Sequence, residues 1–85
     1  MKQKIDYQFT YTSGTAGSQA LVGQGSELYL CAKTTHCYFE IGGTATASAS
    51  TYLPKDSPIL IPVEHPTSVS AIGTGSGTLY IIEFI

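Results

Sequence analysis

The chain has 85 residues, four Lys, no Arg, six Asp or Glu and a formal charge of −2, with only 12% of its residues charged, where a globular average is about 25%. Its length supports one domain over residues 1–85, and its cations, Lys2, Lys4, Lys33 and Lys55, are too scattered to displace counterions from phosphates, which excludes nucleic acid as a partner. No apolar run approaches the roughly 18 residues of a membrane span, and the N-terminal stretch lacks the apolar segment of a signal peptide, so no membrane partner and a cytoplasmic place of synthesis are expected.

Residues 4–12 alternate strictly, with Ile5, Tyr7, Phe9 and Tyr11 on one face and Lys4, Asp6, Gln8 and Thr10 on the other, which is the period of a half-buried strand. Residues 13–17 break the pattern, residues 19–23 read as a short second strand, and Gln24-Gly25-Ser26 is a turn. Residues 27–33 form the third strand; its run Leu28-Tyr29-Leu30-Cys31-Ala32 is apolar at consecutive positions and predicts cover on both faces. Residues 36–41 alternate again, pointing Cys37, Phe39 and Ile41 inward and Tyr38 and Glu40 outward, before Gly42-Gly43 ends the run. The Ala/Ser/Thr alternation of residues 44–51 reads as a thin edge strand or as an extended loop, because small side chains pack either way. Residues 52–58 are a turn framed by Pro54 and Pro58. Ile59, Ile61 and Val63 then alternate in a strand that Pro62 marks as a sheet edge or a bulge. The last two strands, residues 68–72 and 78–84, are joined by Gly73-Thr74-Gly75-Ser76-Gly77, read as a hairpin loop.

No segment has useful helical periodicity. Seven or eight short strands spaced by about ten residues predict an all-β chain, namely a compact antiparallel β-sandwich, jelly-roll or Greek-key like, with an open meander or an SH3-like barrel as the second choice. A domain this short buries only about 60–65% of its unfolded surface, so self-association is the expected source of additional stability.

Chemistry is sparse. Cys31, His36 and Cys37, with Glu64 and His65 further on, supply the residue types of a zinc site. Adjacent His36 and Cys37 point to opposite faces of a strand, however, so no metal or other cofactor is expected and the two thiols read as buried. If residues 33–35 made a three-residue hairpin loop, Cys31 and Cys37 would face each other within reach of a disulfide; the sequence leaves that alternative open. Ser76 lacks the flanking glycines of a nucleophile elbow, and the glycine-rich loop lacks the Gly-Lys-Ser/Thr of a phosphate loop. No carboxylate is marked out by its context, so neither an enzyme nor a catalytic residue is expected. The six tyrosines serve either the core edges of a sandwich or contact with a partner. Tyr38 stands apart, because its neighbours Cys37 and Phe39 claim the inward face.

The stretch Cys37-Tyr38-Phe39-Glu40-Ile41-Gly42, the Ala/Thr/Ser segment after it, Thr51-Tyr52-Leu53-Pro54 and the terminal Gly77-Thr78-Leu79-Tyr80-Ile81-Ile82-Glu83 together resemble small all-β virion proteins of tailed bacteriophages. The resemblance spans about half of the chain. It implies a capsid decoration, or cement, protein: a jelly-roll made in the bacterial host cytoplasm and docked as a dimer or trimer on the virion's capsid surface, with the major capsid protein as partner. Such a protein stabilises the shell by binding only its assembled form. The expected contact or core-rim positions are Tyr7, Phe9 and Tyr11 of the first strand and Tyr80, Ile82 and Phe84 of the last, and Tyr38 is a further expected interface position. A tail-tip or fibre adaptor, a small carbohydrate-binding module and a cupin-like enzyme are the alternatives.

Overall fold

Short runs rich in β-branched, leucine and aromatic residues, punctuated by Gly, Pro and Ser, make eight strands among the described residues: β1 (Lys4–Tyr11), β2 (Gly17–Ala20), β3 (Glu27–Lys33), β4 (Cys37–Ile41), β5 (Thr51–Leu53), β6 (Ile59–Pro62), β7 (Ser68–Gly73) and β8 (Gly77–Phe84). The structure is a computed structural model that describes residues 4–47 and 49–85. The strands form two four-stranded sheets, a first sheet of order β1-β8-β3-β6 and a second of order β2-β7-β4-β5, with all neighbours antiparallel. This is the order of a jelly-roll, in which the chain crosses repeatedly between the two sheets. Only β4 and β5 are both consecutive and paired.

That alternation corrects two local expectations. The Gly73–Gly77 segment is not a hairpin loop, because β7 lies in the second sheet and β8 in the first. Its two outer glycines instead form a slot for Tyr11: a Cβ on Gly73 would stand 2.8 Å from Tyr11 Cε1, and one on Gly77 would stand 2.6 Å from the Tyr11 hydroxyl. Residues 33–35 likewise pass from one sheet to the other, so Cys31 and Cys37 belong to different sheets and are free thiols. No hairpin brings them opposite each other.

Residues 44–47 and 49–50, the described part of the Ala/Ser/Thr segment, form a loop; the fifth strand forms immediately after it, at Thr51–Leu53. Its Ala45 is buried on the outer side of the second sheet, and the Ala45 N–H donates to Ser70 Oγ at 3.0 Å. The Ser70 hydroxyl donates in turn to the Gly17 carbonyl at 2.9 Å, which ties loop, β7 and β2 together. The second strand begins at Gly17, two residues before the predicted start, where a Cβ would stand 2.5 Å from the Thr10 carbonyl and only glycine fits beside β1. The core lies between the sheets, with Leu28, Leu30, Leu79 and Ile81 on one side and Phe39, Leu53 and Val69 on the other. Each such side chain contributes about 1.5–3 kcal/mol by leaving water.

Candidate assembly surface

Strand β8 runs down the middle of the first sheet and is apolar on both faces. Leu79 and Ile81 point into the core, while Tyr80, Ile82 and Phe84 point outward. Register extends this outer face sideways. Ile82 lies between Asp6 of β1 and Tyr29 of β3, Tyr29 is opposite Leu60 of β6, and Tyr80 is opposite Cys31. Tyr80 is 42% and Leu60 56% exposed. An open depression of about 470 Å³ runs across this face, with Tyr29, Tyr80 and Ile82 as its apolar lining and Lys4 and Asp6 at its margin. Charges sit around the apolar centre. Lys4 and Glu27 flank Phe84 at one end, and Lys33 lies at the other, 3.0 Å from Asp56, whose hydrogen bond pushes the lysine above its ordinary value.

The edge at β6 is closed to strand addition. Val63 N–H donates to Ser26 O at 3.1 Å, and counting back from that bonded pair turns the main-chain groups of Leu60 and Pro62 away from β3. Pro58 has the same parity. Two of these three positions carry no N–H, so a partner strand would find one donor where it needs three.

The outer face of the second sheet differs, since the loop after β4 covers part of it at Ala45. Beside the loop stands an aromatic trio. Tyr38 is paired with Tyr52 across β4 and β5, their ring centroids 5.4 Å apart, and His36 lies 5.2 Å from Tyr52 with Nε2 at 3.2 Å from Thr74 Oγ1. Among the described residues, no three His, Cys, Asp or Glu side chains gather as a metal-binding group.

The seven residues singled out from sequence therefore divide. Tyr80, Ile82 and Phe84 share the outer face of the first sheet, and Tyr38 faces outward from the second. Tyr7, Phe9 and Tyr11 turn inward, so of the two roles left open for them they take the core side rather than the contact. Tyr11 is 1% exposed and donates its hydroxyl to Thr35 O at 2.6 Å. Tyr29, Leu60 and Tyr52 were missed. Tyr29 lies in a run apolar at every position, and Leu60 lies between the two isoleucines whose alternation marks the strand.

The register of β8 is held by its one inward polar residue. Glu83 is fully buried and accepts from the Tyr7 hydroxyl at 3.0 Å and from the Gly25 N–H at 2.9 Å; Tyr7 accepts in turn from the Val22 N–H at 3.1 Å. Burial, together with the Glu83 carboxylate, pushes the Tyr7 phenol up, outweighing the opposing bond from Val22. Gly25 has to lack a side chain, because a Cβ there would stand 2.5 Å from Glu83 Cγ. Among the thiols, Cys37 is fully buried and burial pushes it up to about 11, while Cys31, on the outer face opposite Tyr80, is covered by its neighbours.

No family model matches this sequence, and no curated protein matches it. Among solved structures the fold is similar to that of a Bacillus endospore appendage, described as belonging to a novel family of disulfide-linked pili. The TM-score is 0.51 at 23% identity, over 100% of this chain and 88% of that one. That likeness overturns the capsid decoration expectation: the solved structure whose fold the whole chain shares is an endospore appendage, not a phage head protein.

Proposed function

We propose that this chain is a structural subunit that assembles with copies of itself into a pilus-like filament through non-covalent packing. The observation that carries this reading is the outer face of the first sheet. Antiparallel sheets of this kind ordinarily turn polar residues to water, yet here Tyr29, Leu60, Tyr80, Ile82 and Phe84 are contiguous on that side, with Leu60 and Tyr80 exposed and the other three half-buried. Contiguous apolar patches of this sort mark sites of association. The likeness to an endospore appendage subunit supports a filament as the form the association takes. A chain with 12% charged residues also repels its own copies weakly.

The disulfide linkage described for that appendage is not carried over. A linking cysteine needs an accessible thiolate, whereas Cys37 is buried with its thiol at about 11 and Cys31, which belongs to the proposed contact face, is only 6% exposed among its neighbours. Sedimentation and negative-stain electron microscopy of the purified chain, with and without reductant, test the reading. Regular polymers that persist in reductant are expected. A monodisperse monomer at about millimolar concentration, tight enough to reveal contacts worth only about 4 kcal/mol, overturns self-assembly, and polymers dissolved by reductant overturn its non-covalent basis.

A further inference from the structure

We infer that the first sheet's outer face packs against the same face of a second copy, with β3 lying antiparallel over the partner's β3, to form a two-fold dimer within the assembly. This rests on the self-assembly reading and names its contact.

Four strands about 4.8 Å apart, seven residues long at about 3.3 Å each, present roughly 450 Å². A standard interface takes about 800 Å² from each partner. The surface is therefore suited to a weak contact repeated through an assembly rather than to a tight heterologous complex. The proline-guarded β6 edge directs growth of this sheet toward face packing rather than strand addition on that side.

Charge placement then selects the orientation. The outward residues of β3 are Glu27, Tyr29, Cys31 and Lys33, with opposite charges at its two ends. Reversing the partner strand sets Glu27 over the partner's Lys33 at one end, sets Lys33 over the partner's Glu27 at the other, and stacks Ile82 on the partner's Tyr80 between them. An axis parallel to the strands would instead lay Asp6 over the partner's Leu60, burying a carboxylate against an apolar group, and would bring Glu27 and the partner's Lys33 nowhere near each other. The ammonium of Lys33 has three donors, so it can keep Asp56 and donate to a second carboxylate.

A zero-length carbodiimide cross-link tests the register directly. Within one chain Glu27 and Lys33 stand six residues apart on a strand, about 20 Å, so an amide bond between them joins two copies. Mass spectrometry of the cross-linked dimer is expected to return the Glu27–Lys33 peptide pair. Association of the variants is measured alongside by sedimentation equilibrium. Glu27→Lys or Lys33→Glu alone should weaken dimerisation about tenfold, because each replaces two symmetric attractions by repulsions, and the double exchange should restore most of it. Tyr80→Lys, at an exposed position that folding does not need, should abolish it. If the chain associates but the peptide pair is absent and the double exchange rescues nothing, this dimer is overturned and self-assembly stands. If the native chain never associates, both fall.

Discussion

The buried Glu83 network gives the sharpest test of how the assembly face is held in place. Replacing Tyr7 by Phe removes the hydroxyl that donates to Glu83 Oε1 at 3.0 Å and leaves that oxygen buried without its donor. A hydrogen bond to a charged group is worth about 1.5–3 kcal/mol, so Tyr7→Phe should cost about 2 kcal/mol. The Val22 N–H, which also loses its acceptor, lies near the surface and can turn to water. Glu83→Leu strands the Gly25 N–H, at a similar cost of about 2 kcal/mol. The double variant has no orphaned carboxylate, so its loss should stay near that of Glu83→Leu alone and the two changes should couple by about 2 kcal/mol. An 85-residue domain has about 4–13 kcal/mol in total. With a urea slope of about 1 kcal/mol per molar, Tyr7→Phe lowers the midpoint by about 2 M. Urea unfolding of the four proteins, followed by circular dichroism below the association concentration, completes the cycle. Additivity within about 0.5 kcal/mol would show that Tyr7 and Glu83 act independently and would refute the reasoning.

Alkaline pH should unfold the chain through Cys37. Its folded value of about 11, against 9.0 when unperturbed, means that the folded chain keeps a proton the unfolded chain releases. The contribution is therefore whole below about pH 9 and is lost as pH rises through about 11, by about 3 kcal/mol in all. Tyr11, pushed up by burial, acts in the same direction. Urea midpoints should fall steeply from pH 9 to 11, and less steeply in Cys37→Ala; identical slopes would exclude the thiol as the cause. The Tyr11 slot predicts that Gly77→Ala costs about 2–3 kcal/mol by overpacking, because the ring is enclosed and its hydroxyl is fixed on Thr35 O. Gly14→Ala, with nothing within 4 Å, serves as the control in thermal denaturation, and equal melting temperatures for the two would rule the slot out.

Much of the fold could be read residue by residue because a strand's period is local. The first strand was assigned from Ile5, Tyr7, Phe9 and Tyr11, the third from residues 27–33, and both lie where expected. What alternation cannot convey is which sheet a strand joins. Gly73–Gly77 and residues 33–35 have hairpin spacing, yet each crosses between the sheets, and that choice depends on partners about fifty or more residues away, as in the pairing of β3 with β8. The assembly face was half legible for the same reason. Tyr80, Ile82 and Phe84 share one parity of β8, and that parity could be read as outward-facing. Tyr7, Phe9 and Tyr11 also share a parity, but theirs is the core side, and only the placement of β1 at a sheet edge beside β8 decides it. The buried Glu83 was illegible, since nothing in the terminal sequence announces that its partners are Tyr7 and Gly25.

The placement of Glu83 and the nature of the outer face are linked by strand parity. A slip of β8 by one residue would exchange its two faces, putting Ile82 and Phe84 inside and Ile81 and Leu79 in water. Both faces are apolar, so hydrophobic burial alone discriminates weakly between the two registers. The carboxylate supplies the difference. In the slipped register Glu83 loses the Tyr7 hydroxyl and the Gly25 N–H, and Gly25 loses the side chain it was left bare to admit. A strand that is apolar on both sides, as an interior strand bearing a docking face must be, needs such a polar key to choose which side it offers. The same reasoning applies between copies. An apolar face has no preferred orientation of its own, and the few charges retained around it, Glu27 and Lys33 at opposite ends of β3, supply one. Low charge favours association, and the position of the remaining charges determines its geometry.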